Sequence, residues 1–132
     1  MLARGALAGL EAELRAFLAG IPHQWHGQNP MASYEGWYAS LLQAYFVAAG
    51  AEVRAEESGS QGRADLIVRG FGQVYVFELK LRERSRPGAA LRQLQERGYA
   101  DRYRGRGEPV HLAGLEFSAE TRNLTRFEAE TV

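Results

Sequence analysis

Arg63-Ala64-Asp65-Leu66-Ile67-Val68-Arg69-Gly70-Phe71-Gly72-Gln73-Val74-Tyr75-Val76-Phe77-Glu78-Leu79-Lys80-Leu81 reads as two strands folded back on each other. Residues 63–69 and 73–81 are rich in the aliphatic and aromatic side chains that suit a pleated, half-buried surface. Between them Gly70-Phe71-Gly72 supplies a tight hairpin loop, with 71 and 72 as its two loop residues. That length sets the register: 70 faces 73, so 65 faces 78. Side chains alternate along a strand, which puts Asp65 and Glu78 on one face together with Lys80, two residues past Glu78. Directly opposed side chains have carbons about 5 Å apart. Two bare carboxylates that close repel each other, so a proton or a cation belongs between them.

Lys80 is the only lysine among sixteen Lys and Arg residues. Arginine serves everywhere else, so a single ammonium beside two carboxylates marks a position where a planar guanidinium does not fit. Lysine is a compact donor whose pKa can be lowered, whereas arginine stays a permanently charged fork. A lone lysine can equally be a survivor of chance on a solvated strand end.

The rest of the chain bounds the answer. At 132 residues and 45% hydrophobic it has one domain's length and enough apolar material for a core. It has no cysteine, which excludes a disulfide framework, a zinc ribbon and thiol catalysis and fits a reducing, cytoplasmic setting. Glu11 and Glu13 interrupt the apolar N-terminal stretch, so neither a signal peptide nor a membrane span is expected. Net charge is zero but unevenly spread. From Arg82 to Arg106 eight arginines face only Glu83, Glu96 and Asp101, a surplus of five. Such a cationic stretch is the usual footprint for phosphates, though it also suits a solvated helix face.

Leu7, Leu10, Leu14, Phe17 and Leu18 recur at helical spacing until Gly20 and Pro22. A second helix is expected from a Ser33 cap to about Ala49, burying Trp37, Leu41, Leu42, Tyr45 and Phe46. A short strand over 51–57 and a turn at 58–62 precede the hairpin. Pro87-Gly88 opens a third helix over about 89–103, and strands over 110–117 and 124–130 complete the chain. The fold class is therefore α/β, a mixed sheet of about five strands flanked by helices. His23 and His26 form a His-x-x-His step in a loop without a third ligand and read as incidental; His111, early in a strand, reads as structural.

Asp65, a twelve-residue gap and Glu78-Leu79-Lys80, preceded by Gly62-Arg63, resemble the core signature of the PD-(D/E)xK nuclease superfamily. The element order matches too: a restriction-endonuclease-like αβββαβ core with one extra N-terminal helix. A longer set looks like the C-terminal nuclease domain of bacterial AAA-ATPase-like proteins. It comprises Ile21-Pro22, Tyr34-Glu35-Gly36-Trp37-Tyr38, Gly62 to Leu66, Val76 to Leu81, Ala90 to Leu94, Gly98-Tyr99-Ala100 and Gly114 to Ser118. No Gly-x-x-x-x-Gly-Lys-Ser/Thr loop is present. The expectation is one nuclease-like domain over 1–132, with a helix in 1–20 and the catalytic core in 33–130, excised from an ATPase chain or free-standing. Ala64 stands where the superfamily's name has proline, and Ala39 where the narrower family often has histidine.

This resemblance implies a metal-dependent hydrolysis of DNA phosphodiester bonds. Mg²⁺ (or Mn²⁺) would be held by Asp65, Glu78 and the carbonyl of Leu79, as a hard cation takes oxygen ligands. Lys80 would orient the attacking water. Glu35 becomes the family's helix-borne acid, although an acid in a first helical turn also simply suits the dipole. Gln93 matches the family's glutamine six residues before Tyr99; Gln95, four before it, competes. Arg63 shares Asp65's face and can bind phosphate or pair with Glu57. Arg82, Arg84, Arg86 and Tyr99 complete the expected nucleic-acid contacts. Expected partners are DNA, an AAA-type ATPase domain and a second copy of the chain, with no membrane. The rival reading is a catalytically inactive nucleic-acid-binding or regulatory module on the same fold.

Overall fold

The structure, a computed structural model, describes residues 7–21, 35–58, 63–70, 72–96, 107–118 and 120–132. Side chains are described for all of these except 7, 8, 35, 36, 56–58, 63–65 and 84. In chain order the elements are α1 (Leu7–Ala19), α2 (Glu35–Ala48), β1 (Glu52–Ser58), β2 (Arg63–Gly70) and β3 (Gln73–Leu81). A 3-10 turn (Arg82–Arg84), α3 (Ala89–Glu96), β4 (Val110–Ser118) and β5 (Asn123–Thr131) follow.

The five strands form one sheet in the order β1-β2-β3-β4-β5. Only β3 and β4 run parallel; every other pair is antiparallel. A parallel pair needs a crossover, and α3 lies in it. The expected architecture holds: a mixed five-stranded sheet with helices on both faces.

Helical spacing explains the two layers. α1 buries Leu10, Leu14 and Leu18, and α2 buries Tyr38, Leu42 and Phe46, each set four residues apart and so on one stripe. They pack on the sheet face carrying Leu66, Val68, Tyr75, Phe77, Leu79, Leu81, Leu115 and Phe117. Ring pairs lock the layer: Phe46 stacks on Phe77 at 5.3 Å and Tyr38 on Phe117 at 4.6 Å. Because Tyr38 meets the end of β4 while Phe46 meets mid-β3, α2 begins at the sheet end where Lys80 and Leu81 lie. The opposite face packs Ile67, Val74, Val76, Val110 and Leu112 against Leu94 of α3. β3 and β4 are thus buried on both sides.

Sequence and structure differ in three places. Strand ends shift by about one residue, as fraying ends do. The 3-10 turn at Arg82–Arg84 was not expected; Ser85 Oγ donates to Leu81 O at 2.6 Å and closes it. Tyr38, not among the residues expected on α2's buried side, is fully buried, while Trp37, Leu41 and Tyr45 are only partly so. The third helix is described as Ala89–Glu96, and the rest of its expected span, with Tyr99, lies outside the described residues. So do Ser33, His23 and His26.

His111 sits at the start of β4, in register with Tyr75 and stacked on it at 4.9 Å. Its Nδ1 lies 2.8 Å from Thr131 Oγ1, and its other ring nitrogen meets Gln73 Oε1. Burial lowers its pKa below the usual 6.5. The folded chain therefore takes up a proton less readily than the unfolded one. Stability from the neutral ring is complete above about pH 6.5 and is lost as pH falls through the folded value. Thermal melts between pH 7.5 and 5 should show an acid-side decline that is shallower in His111→Gln; equal slopes would contradict the assignment. Tyr38→Phe tests a weaker contact. Its hydroxyl donates to Ser118 O at 3.4 Å, and burial raises its pKa, with Glu83 adding to the rise and Arg122 opposing it. Loss of so long a hydrogen bond should change stability by about 0.5 kcal/mol or less, measured by denaturant titration.

Candidate functional site

The hairpin register is the one that loop length dictates. Gly70 pairs with Gln73 and Asp65 with Glu78, so the two acids stand on adjacent strands and the same face. This is the α3 face, because Ile67 and Val76, one step further along the same register, belong to the core under α3.

Glu78 is 0% exposed. A carboxylate at that depth costs several kcal/mol unless charge or hydrogen bonds compensate it. Lys80 is close by: its Nζ lies 3.9 Å from Glu78 Oε2, with a side chain 13% exposed. That distance is ion-pair range but longer than a hydrogen bond. A compact ammonium reaches such a position without filling it, whereas a guanidinium would need a broader, planar space.

The register extends across the whole sheet. Glu56 pairs with Asp65, Asp65 with Glu78, Glu78 with Gly114 and Gly114 with Glu128. The neighbouring row runs from Lys80 to Glu116 to Arg126. At Gly114 the helix comes into contact with the sheet: a Cβ there would lie 2.3 Å from Leu91 N and 2.9 Å from the carbonyl carbon of Ala90. The first turn of α3 is thereby seated on the register partner of Glu78.

The remaining expected residues distribute as follows. Leu79 buries its side chain in the core on the opposite face, leaving only its carbonyl to serve a ligand. Arg82 is half exposed; its Nη2 lies 3.4 Å from Ser118 Oγ and 3.6 Å from Glu83 Oε2. Arg86 is exposed, and the side chain of Arg84 lies outside the described residues. Glu35 opens α2 at the same sheet end as Lys80 but in the layer on the other face. Its side chain, like those of Asp65 and Arg63, is outside the described set. Ala39 packs against the core of that layer. On α3, Gln95 Nε2 donates to Glu130 on β5. Gln93 lies about 200° round the helix from it, on the flank turned away from β5.

The suggested partnership of Arg63 with Glu57 is not supported. Arg63 pairs with Ser58, and Glu57 pairs with Ala64, which places Arg63 and Glu57 on opposite faces. Sequence reasoning gave no individual role to Glu56, Glu116, Ser118 or Arg126. Glu116 gave one signal: an acid inside the otherwise apolar run Leu112 to Phe117.

Among the described residues no group of three or more His, Cys, Asp and Glu side chains could hold a metal. The donor chemistry nonetheless fits a hard divalent cation. A fully buried carboxylate, Glu78, is faced across the strands by Asp65, and both are oxygen donors. No helix among the described residues is long and apolar enough to cross a membrane.

Comparison with known proteins agrees with this geometry. Residues 33–127 match the model of a family described as belonging to the PD-(D/E)XK nuclease superfamily. The chain is also similar to a protein named "Uncharacterized protein in vnfD 5'region" from Azotobacter chroococcum mcd 1, at 48% identity over 124 residues. That alignment covers 94% of this chain and 24% of the relative, so the chain spans about a quarter of that protein's length. No solved structure matches. Members of this superfamily are usually nucleases that use divalent metals. With the match extending from the opening of α2 through both candidate acids to β5, the chain belongs to the PD-(D/E)XK nuclease superfamily.

Proposed function

We propose that this chain is a metal-dependent nuclease that hydrolyses phosphodiester bonds of DNA. The observation that carries the reading is the pairing of Asp65 with Glu78 across the hairpin, with Lys80 Nζ 3.9 Å from the buried Glu78 carboxylate. Asp65, Glu78 and the carbonyl of Leu79 would hold Mg²⁺ or Mn²⁺. When bound, such an ion lowers the pKa of a coordinated water and offsets charge developing on the phosphate.

The chain's own groups supply the rest. Lys80, tethered beside Glu78, donates hydrogen bonds that orient the attacking water and stabilises negative charge in the transition state. Arg82, Arg84 and Arg86 leave the end of β3 in a row and bind phosphates on either side of the scissile bond; Arg63 and Tyr99 extend that contact. Arginine suits this role because its fork engages phosphate oxygens in pairs. Glu35, at the same end of the sheet, serves as an outer ligand. Gln93 is favoured over Gln95 because it matches the family's glutamine six residues before Tyr99.

Labelled linear, circular and branched DNA incubated with Mg²⁺, Mn²⁺ or EDTA tests the reading. Cleavage is expected with either metal and none in chelator; equal cleavage in EDTA would rule out the metal mechanism. DNA that is retained at low salt but never cut would support the inactive binding module instead, since phosphate contacts are strongest there. The length of the Azotobacter relative is consistent with a domain that works beside other parts of a longer protein, and an AAA-type ATPase is the partner we propose. Cytoplasmic location and pairing of two copies to cut two strands belong to the same proposal.

A further inference from the structure

Glu116 is an acid buried to 2% exposure in a strand whose residues are all buried. It lies on the site face, with Lys80 in register on β3 and Arg126 on β5. Its Oε2 accepts the backbone N–H of Gly88 at 2.7 Å, and its Oε1 lies 3.4 Å from Arg126 Nε. Gly88 has φ +85°, a left-handed conformation that turns the chain from the arginine-bearing connection into α3. Gly88 O then accepts from Arg92 N at 3.2 Å, so Gly88 is the residue that starts the helix. Its N–H has no partner within the helix and needs one from outside.

A buried carboxylate is a poor way to gain stability, because an apolar side chain of similar volume often does as well or better. Its use here is geometric. One carboxylate binds the start of α3 to the strand next to Lys80, one register row from Glu78. Resting on the nuclease reading above, we propose that Glu116 is a positioning residue of this site. Through Gly88 it fixes where the 82–88 connection and the first turn of α3 sit relative to Lys80 and Glu78.

Two conservative substitutions separate reach from charge. Glu116→Gln keeps an oxygen able to accept from Gly88 and removes the charge. Glu116→Asp keeps the charge and falls one methylene short. Steady-state cleavage with Mg²⁺ should leave the Gln variant close to wild type and lower kcat of the Asp variant by about ten- to a hundredfold, the scale of an ångström-sized misplacement. Exchange of the Gly88 amide, followed by NMR, should be slow in wild type and Gln and faster in Asp. The reverse order, or two variants indistinguishable from wild type, would overturn the proposal, as would kcat losses that merely track the drop in Tm. If wild type cuts no DNA with Mg²⁺ or Mn²⁺, the nuclease reading fails, and the order of Gly88 exchange rates alone decides whether Glu116 holds the helix.

Discussion

Lys80→Ala should lower Mg²⁺-dependent DNA cleavage by about a thousandfold while leaving DNA retention at low salt nearly unchanged. The size follows from the role proposed for the group. Removing one preorganised donor aimed at developing transition-state charge costs about a hundred- to a thousandfold in kcat. In the proposed function, binding draws instead on the arginines of the 82–86 connection, which the substitution leaves in place. Lys80→Arg should recover little activity. Its guanidinium is planar and cannot shed its charge, and Lys80 is only 13% exposed beside a fully buried carboxylate. Glu78→Gln should fall as far by a different route, through loss of the proposed metal ligand. Cleavage kinetics and filter retention on the same preparations check all three. An alanine variant that still cuts within tenfold of wild type would remove Lys80 from the mechanism.

The second large effect is on the scaffold. Gly114→Val should destabilise the fold by about 3 kcal/mol or more, above the usual range for overpacking. The new side chain would meet backbone, not a flexible neighbour: its Cβ alone would lie 2.3 Å from Leu91 N and 2.9 Å from Ala90 C. α3 can escape only by lifting from β3 and β4. Because Gly114 is the register partner of Glu78, the same displacement moves the helix's amino end away from the acid. Activity should therefore fall even at temperatures where the variant remains folded. Denaturant titration gives the stability loss, and cleavage at 10 °C below the variant's Tm gives the functional one. Gly114→Ala with unchanged stability would show that the helix yields more easily than its packing implies.

Much of this arrangement could be read from the residues because it is local. The loop Gly70-Phe71-Gly72 fixes a hairpin register by counting, and strand alternation then assigns Asp65, Glu78 and Lys80 to one face without further information. Helical spacing likewise identified the Leu10, Leu14 and Leu18 stripe. What escaped depends on the parallel pairing of β3 with β4, joined through a crossover with no turn whose length could be counted. Until that register is known, nothing in the chain says that Gly114 faces Glu78 or that Glu116 faces Lys80. The short turn at 82–84 escaped for a related reason, since one hydroxyl hydrogen bond from Ser85 decides it. Arg63 and Glu57, one alternative pairing that the sequence allowed, are separated by a single step of register onto opposite faces.

The spatial order of the strands repeats their order along the chain. Each strand emerging during synthesis finds its neighbour already made, and no strand has to be inserted between two that have paired. Such assembly closes short loops first and defers only the β3-to-β4 step. The acid-bearing hairpin would then take shape before the helix that covers it, so a truncated chain ending after β3 should already hold its two acids face to face.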